Sequence, residues 1–134
     1  MEHQASIRLL DILIENGRRI LLAYFGVDRA EATFFDVVAL LREQPDLRAA
    51  FLERVQRTLQ SRDPSGLGIG MVPREQIELA AHELRWPEFE TLADERLHLF
   101  FHGDRELAVS DPARSIINAF QDSWEDREFY RTYA

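Results

Sequence analysis

The stretch that decides the fold class is Ser6–Gly26, with the sequence SIRLLDILIENGRRILLAYFG. Apolar residues recur in it every three or four positions, which is the period of one face of an α-helix. The stripe consists of Ile7, Leu10, Ile14, Leu21 and Phe25, widened by Leu13, Ile20 and Tyr24. This periodicity predicts a long helix at this point in the chain.

The dipeptide Asn16-Gly17 in the middle of this stretch allows a second interpretation. Asn-Gly is a strong two-residue signal for a β-hairpin, so the segments on either side could fold back as two strands. The apolar stripe, however, keeps its helical phase across Gly17, which a turn would not require. We favour one long helix, or two helices separated by a kink at Gly17, with the hairpin as the alternative. In a helix Gly17 lies on the buried face and permits close approach of a neighbouring helix.

The helical period recurs in five later segments, 27–45, 46–60, 73–84, 87–103 and 110–126. Asp28 with Glu31 three residues later predicts a capping box at the start of the second helix. Asp111 and Pro112 predict the N-cap and first position of the last helix. Residues 104–109 are predicted as a connector, with a short β-strand as an alternative. The fold class is therefore all-α: a single-domain bundle of about six helices, the first three packed as an antiparallel bundle.

Composition divides the predicted domain, residues 1–134, into three parts. Residues 1–60 form a neutral helical half, residues 61–73 a Gly-rich loop, and residues 74–134 an acidic helical half. The loop lacks the preceding strand and the Gly-Lys-Ser/Thr ending of a phosphate-binding loop. We therefore interpret it as a connection between the two halves.

The charge of the chain indicates what kind of partner it can attract. All sixteen basic residues are arginine, and the formal net charge is −8. Acidic and basic residues balance in 1–74, so the whole negative charge resides in 75–134. Such a surface repels the phosphates of nucleic acids and anionic lipids, and we expect neither nucleic acid nor membrane as a partner. A basic protein would be attracted to it, mainly through faster association.

The residue inventory excludes several enzyme classes. The absence of cysteine excludes disulfides, Fe–S clusters and a cysteine nucleophile. The absence of lysine excludes a P-loop lysine and a Schiff base. No serine lies in a Gly-x-Ser-x-Gly elbow. We therefore expect binding rather than catalysis, and no cofactor.

The sequence also carries no membrane or secretion signal that we recognise. No apolar run approaches the roughly 20 residues that a membrane span needs. The first residues, MEHQASIRLLDIL, lack the basic region and cleavage site of a signal peptide. A cytoplasmic location is therefore expected.

The segment DERLHLFFHGD carries side chains that could bind a metal ion. On a continuous helix Asp94, His98 and His102 follow one another at intervals of four residues, with Glu95 beside them. Histidines with this spacing can bind metals, so a metal-dependent helical hydrolase is an alternative function. A di-iron bundle would need a second Glu-x-x-His pair, which the sequence lacks. We prefer a solvated polar face, here and for the carboxylates at Glu83, Glu88 and Glu90.

The segment Asp122–Ala134, DSWEDREFYRTYA, holds one Trp, one Phe and two Tyr among charges of both signs. Trp124 continues the apolar stripe of the last helix, but Phe129 and Tyr130 fall on the opposite face, so that helix should end or bend near 125–127. The rings either pack against the acidic half or remain partly exposed as a docking surface within an acidic rim. A structural homodimer burying 129–134 is a further alternative.

The residues predicted to bind a partner combine aromatic anchors with nearby carboxylates. They are Trp86, Asp94, Glu95, Trp124, Glu125, Asp126, Glu128, Phe129 and Tyr130. The small size, the acidic charge and the lack of an active-site motif resemble the profile of small cytoplasmic immunity proteins, which cover a toxic enzyme with an acidic surface. This resemblance implies an inhibitor whose partner is a basic toxin or nuclease.

Overall fold

The computed structural model describes all 134 residues and contains helices but no strands. The α-helices are α1 (His3–Leu22), α2 (Val27–Glu43), α3 (Arg48–Leu59), α4 (Arg74–Leu84), α5 (Pro87–Phe101) and α6 (Pro112–Asn118). Short 3-10 turns lie at Pro45–Leu47, Arg105–Ala108, Glu125–Phe129 and Arg131–Tyr133. The prediction of an all-α domain with about six helices is confirmed. None of these helices combines the length and the apolar content that crossing a bilayer requires.

Helix α1 runs without interruption through Asn16-Gly17, so the hairpin interpretation is wrong. Gly17 is buried, and a Cβ placed on it would lie only 2.7 Å from Cε1 of Phe34 in α2. The neighbouring Asn16 Nδ2 donates a hydrogen bond of 2.8 Å to Oγ1 of Thr33. The glycine therefore serves close helix packing rather than a turn, as its position on the apolar stripe predicted.

The structure contradicts the predicted capping box of the second helix and the β-strand considered as an alternative for residues 104–109. Helix α2 begins at Val27 after an extended Gly26, and Asp28 lies inside its first turn without capping it. Glu31 does not complete a capping box, because its carboxylate instead accepts the backbone N–H groups of Arg131 and Thr132. The connector at Arg105–Ala108 is a 3-10 turn rather than a strand, since the side chain of Asp104 accepts the N–H of Glu106.

The core is one cluster of twenty-six buried apolar residues, with contributions from all six α-helices. Helix α4 is the central element, because residues 76–82 are buried on every side of the helix. It packs between α2 and α6, while α1 packs against α2. Helix α3 packs chiefly against α5, and its Arg54 also forms an ion pair with Asp11 of α1 at 2.6 Å, so the first three helices do not pack only against one another.

A buried arginine joins the acidic half to the neutral half. Arg96 of α5 is only 3% exposed, and it forms a two-point ion pair of 2.8 and 3.0 Å with Asp111 at the start of α6. Its Nη1 also donates to the carbonyl oxygens of Leu59 and Ser61, at 2.7 and 2.6 Å, where α3 ends. Asp111 in addition accepts the N–H of Ala113, as its predicted capping role requires. This arrangement fixes α5 and α6 against the end of α3.

Candidate functional site

The C-terminal segment, residues 119–134, leaves α6 and returns over α2 and α4. Helix α6 ends at Asn118 rather than near 126 as predicted. Beyond it, the backbone N–H groups of Trp124, Arg127, Tyr130 and Tyr133 each donate to the carbonyl three residues earlier, at 3.1 to 3.3 Å. These bonds belong to two short 3-10 turns, Glu125–Phe129 and Arg131–Tyr133, and the residues that precede them, Trp124 and Tyr130, have non-helical backbone angles. Since α6 has ended before these residues, its apolar stripe does not have to continue through them.

The aromatic rings of this segment are mostly buried and form one cluster with α2 and α4. Trp124 and Tyr130 are 4% and 3% exposed. The ring of Trp124 lies 4.8 Å from His82, and that of Tyr130 lies edge-on to Phe35 at 6.0 Å. Tyr133 contacts both Phe35 and His82, with centroids 6.0 and 5.5 Å apart. Trp124 therefore packs against the acidic half, as one interpretation expected, whereas Tyr130 also packs against Phe35 of α2 in the neutral half.

Polar contacts fasten the same segment to α2 and α4. The Glu31 carboxylate accepts the backbone N–H of Arg131 at 2.7 Å, and both the N–H and the hydroxyl of Thr132 at 3.2 and 2.8 Å. The Tyr133 hydroxyl donates to Glu83 at 2.7 Å, and the partial burial of this tyrosine, followed by that bond, raises its pKa. The segment is therefore held by directional bonds as well as by apolar packing.

His82 has a structural role within this cluster. It is buried, and its Nδ1 lies 2.7 Å from the carbonyl oxygen of Ala119. A carbonyl oxygen only accepts, so Nδ1 carries the proton and donates. The imidazole thus connects α4 to the residue that follows α6 and supports the ring of Trp124.

Between the two buried anchors Trp124 and Tyr130 lies an acidic turn that reaches solvent. We define the acidic tip as Glu125, Glu128 and Phe129; all three side chains are exposed, and Phe129 retains 56% of its accessible surface. A shallow cavity of about 350 Å³ adjoins the tip and includes the edges of Trp124 and Tyr130 among its walls. The structure therefore brings together four predicted partner-binding residues, Trp124, Glu125, Glu128 and Tyr130, around one depression.

One positive side chain also lines this cavity. The guanidinium of Arg127 lies 4.3 Å from the ring centre of Tyr133, within the distance of a cation–π contact. Arg127 is half-buried, and it partly offsets the charge of Glu125 and Glu128. The aromatic face of Tyr133 is thus already occupied by a cation from the same chain.

Asp126, which was predicted as part of the exposed rim, faces inward toward α4. It lies near Glu75 and Glu78, and its charge adds to the burial that raises the pKa of both carboxyls. For Glu78, which is 3% exposed, burial is the main cause and the pKa rises to about 8. Arg74 opposes this shift, because its Nε lies 3.4 Å from Oε1 of Glu78 and its positive charge favours the carboxylate. The effect of burial is larger, so the pKa remains raised. At neutral pH Glu78 is therefore held mainly in its protonated form.

Glu78 could not be identified from the sequence, because it lies beside the recognised apolar stripe of α4. It lies near Ser115 of α6 and near Asp126 of the C-terminal segment, whose path the helical period did not reveal. Neither Glu75 nor Glu78 lines any of the five principal cavities. A raised carboxyl pKa supports acid–base catalysis only where a substrate can reach the group, so we assign Glu78 a structural role.

The remaining predicted partner-binding residues lie elsewhere. Trp86 is half-buried and stacks on Phe89, with ring centres 5.5 Å apart, while the guanidinium of Arg48 covers it at 4.6 Å. Asp94 and Glu95 are exposed on α5, and Glu95 lines a cavity between α3 and α5. The nine predicted residues therefore do not form one continuous surface.

The predicted metal ligands are not brought together as a set. Asp94 Oδ2 and His98 Nε2 lie 3.5 Å apart, one helical turn from each other. His102 has left the helix: it is the C-cap residue and adopts a left-handed conformation with φ of 53°. The His98 ring folds over Gly103, where an added Cβ would lie 2.8 Å from its Cε1. No cluster of three or more potential metal ligands is present in the structure.

Comparison of the chain with protein-family models, with curated proteins and with solved structures gives no significant match. The function is therefore argued from the geometry and charge of the chain itself.

Proposed function

We propose that this protein is an acidic protein-binding module, and that its acidic tip docks a basic segment of a partner protein. The observation that supports this most directly is that the tip is held between two buried rings, Trp124 and Tyr130. A surface fixed in this way loses little conformational freedom on binding, and this improves affinity.

The chemistry of the tip fits a basic partner. Glu125 and Glu128 are exposed carboxylates that form no ion pair within the chain, so they are free to accept hydrogen bonds from arginine or lysine. Phe129 adds an exposed ring that a partner can bury. The excess of negative charge in 75–134 would speed the encounter at low salt.

The partner class that we propose is a basic protein whose activity is blocked when the acidic surface covers it. A basic toxin or nuclease fits this description, because such enzymes carry positive surfaces for their substrates. The module would then act as an inhibitor by occupying that surface, and it would need no catalytic group of its own.

The test begins with capture of partners from the source organism, elution with a salt gradient and identification of the eluted proteins. The affinity of the purified partner is then measured by calorimetry for the wild type and for Glu125→Gln/Glu128→Gln. We expect the double variant to bind about tenfold more weakly at low salt, which is about 1.4 kcal/mol, with a smaller dependence on salt.

A matched control removes the same amount of charge from the neutral half. Asp36→Asn/Glu43→Gln changes two exposed carboxylates of α2 that form no side-chain hydrogen bond. Its affinity should remain close to that of the wild type. Equal losses in both double variants would show that only net charge matters, and an acidic captured partner would contradict the proposal outright.

A further inference from the structure

A groove lies between α3 and α5, outside the C-terminal segment. Two cavities, of about 200 and 330 Å³, lie side by side along it. Gln56 of α3 and Leu92 of α5 line both cavities, so the two form one continuous depression. None of the residues that line the groove lines the cavity at the acidic tip.

The groove follows one face of each helix over several turns. Residues 49, 52, 56 and 59 of α3 line one side of the groove, and residues 88, 92, 95 and 99 of α5 line the other. These intervals of three and four residues are those of a single helical face. At 1.5 Å per residue, the walls from residue 49 to 59 and from residue 88 to 99 each extend for about 15–16 Å, or about three helical turns. This length suits a helix lying along the groove.

The floor of the groove is apolar and partly exposed. Leu52, Leu92 and Leu99 supply this surface: Leu52 and Leu92 are half-buried, and Leu99 leaves 59% of its surface accessible. Leu59 also lines the depression but is only 3% exposed, so the leucine strip is formed by the other three. A helix with apolar residues at intervals of three and four would cover such a strip.

Two exposed carboxylates stand on the walls of the groove. Glu53 on the α3 side forms an exposed ion pair with Arg57 at 4.0 Å, which contributes little in water, and Glu95 on the α5 side has no ion-pair partner. The other charges are already satisfied: Glu88 is bonded by Arg48, and Arg96 by Asp111. The available charges of the groove are therefore carboxylates, one on each wall.

We propose that the α3–α5 groove binds a basic amphipathic helix of a partner protein. The apolar residues of that helix pack on the leucine strip, and arginines or lysines on its flanks pair with Glu53 and Glu95. This occupant follows from charge complementarity, since two acidic walls favour a cationic helix. A second copy of this chain is disfavoured, because each copy carries a net charge of −8. The inference does not depend on the function proposed for the acidic tip.

The test uses a synthetic amphipathic peptide of about 14 residues, long enough for about four turns, with leucines on one face and lysines on its flanks. Binding to the full chain is followed by fluorescence anisotropy, and the contact surface by NMR shifts. We expect shifts confined to α3 and α5. A peptide of the same composition in scrambled order, and one with glutamate in place of lysine, should bind at least about tenfold more weakly.

Variants separate the two parts of the interaction. Leu99→Asp places a charge on an exposed part of the floor with little risk to folding, and it should weaken binding about tenfold or more. Glu53→Gln/Glu95→Gln should weaken binding by a smaller factor and reduce its dependence on salt. The tip variant Glu125→Gln/Glu128→Gln should bind the peptide as the wild type does, so failure of one proposal is distinguishable from failure of the other.

Several results would overturn the inference. Equal binding of the ordered and scrambled peptides, or NMR shifts outside α3 and α5, would show that the groove does not recognise a helix. Unchanged affinity in Leu99→Asp would exclude the leucine strip. Concentration-dependent dimerisation of the wild type that Leu99→Asp abolishes would identify a second copy as the occupant instead.

Discussion

Several polar contacts join the acidic half of this protein to the neutral half, and two of them are built in opposite ways. The inner link is Arg96, which reaches from α5 to Asp111 and to the carbonyl groups at the end of α3. The outer link is Glu31, which reaches from α2 to the backbone of Arg131 and Thr132. The inner link is buried with all its partners close by, whereas the outer link lies at the surface around a half-buried carboxylate.

The comparison shows that the free energy needed to break a polar contact is larger when the contact is buried than when it lies at the surface. Separating the inner link leaves an ion without water or partner, so we expect it to break only when the whole domain unfolds. Separating the outer link exposes its carboxylate and N–H groups to water, which replaces the lost bonds. We therefore expect the end of the C-terminal segment, where Glu31 bonds to it, to open locally at a free energy below that of global unfolding.

The largest effect is expected from Arg96→Met, which removes the inner link. Asp111 would remain buried without its counterion, and the free energy of unfolding should fall by about 3–5 kcal/mol. Urea denaturation followed by circular dichroism measures this loss. In Arg96→Met/Asp111→Asn the stranded charge is removed while the cap to Ala113 is kept, so part of the stability should return. If the double variant is no more stable than the single one, the charge of Asp111 is not the cause.

Glu78, which lies beneath the segment that the outer link holds, should give a smaller effect that depends on pH. Folding raises the pKa of this carboxyl from 4.5 to about 8, so between these values the folded state binds more protons than the unfolded chain. The free energy of unfolding should therefore fall as the pH rises through this window, by at most about 1.4 kcal/mol per pH unit, and level off above it. Glu75, Asp126 and Arg74 are the charged groups that face Glu78.

Glu78→Gln tests this dependence by removing the titrating proton. The variant should lack this part of the pH slope, and near pH 8 it should be more stable than the wild type by about 1–3 kcal/mol. Glu90→Gln, at an exposed position on α5, should leave the slope unchanged. Denaturation series at several pH values measure all three proteins, and parallel curves for wild type and Glu78→Gln would contradict the role of burial.

Glu31→Ala removes the outer link and should have a local effect. The three hydrogen bonds to Arg131 and Thr132 are lost, and the cost should be about 1–2 kcal/mol. Hydrogen exchange of the amides of residues 130–134 should become faster, whereas exchange in α4 should change much less. Equal acceleration in both regions would show that the two links open together.

The smallest effect is expected from Tyr133→Phe, which keeps the ring of the outer cluster and removes one hydroxyl. Its bond to Glu83 is partly exposed, so the loss should be about 0.5–1.5 kcal/mol. The same hydrogen-exchange measurement should show faster exchange near Tyr133. A loss as large as that in Arg96→Met would contradict the distinction between the two links.

The helical fold was predictable because its signals are local. The apolar period across Gly17 identified α1, and the pair Asp111-Pro112 identified the start of α6. Contacts between residues far apart in the sequence were harder to predict. Asp28 and Glu31 have the spacing of a capping box, yet Glu31 bonds to residues a hundred positions later. A local pattern cannot reveal such a competing partner, because any nearby pair of N–H groups can satisfy a carboxylate.

The candidate site was predictable in part. The aromatic and acidic character of 122–134 was visible, and the helical stripe placed Trp124 inward, but for Tyr130 the choice between burial and exposure stayed open because a continued helix would turn it away from that stripe. The spacing of three between Trp124, Arg127, Tyr130 and Tyr133 was present in the sequence and could have indicated 3-10 turns. The raised pKa of Glu78 had no signal of its own, since it arises from burial in the folded protein.

Because the two tryptophans lie in different parts of the protein, tryptophan fluorescence can report the opening of the C-terminal segment. Trp124 lies against His82 within the outer cluster, and Trp86 stacks on Phe89 at the start of α5. A Trp86→Phe variant therefore has a single emitter that reports release of the segment, and Trp124→Phe has one that reports loss of the α3–α5 packing. The protein thus contains two intrinsic optical probes, one for local opening and one for global unfolding.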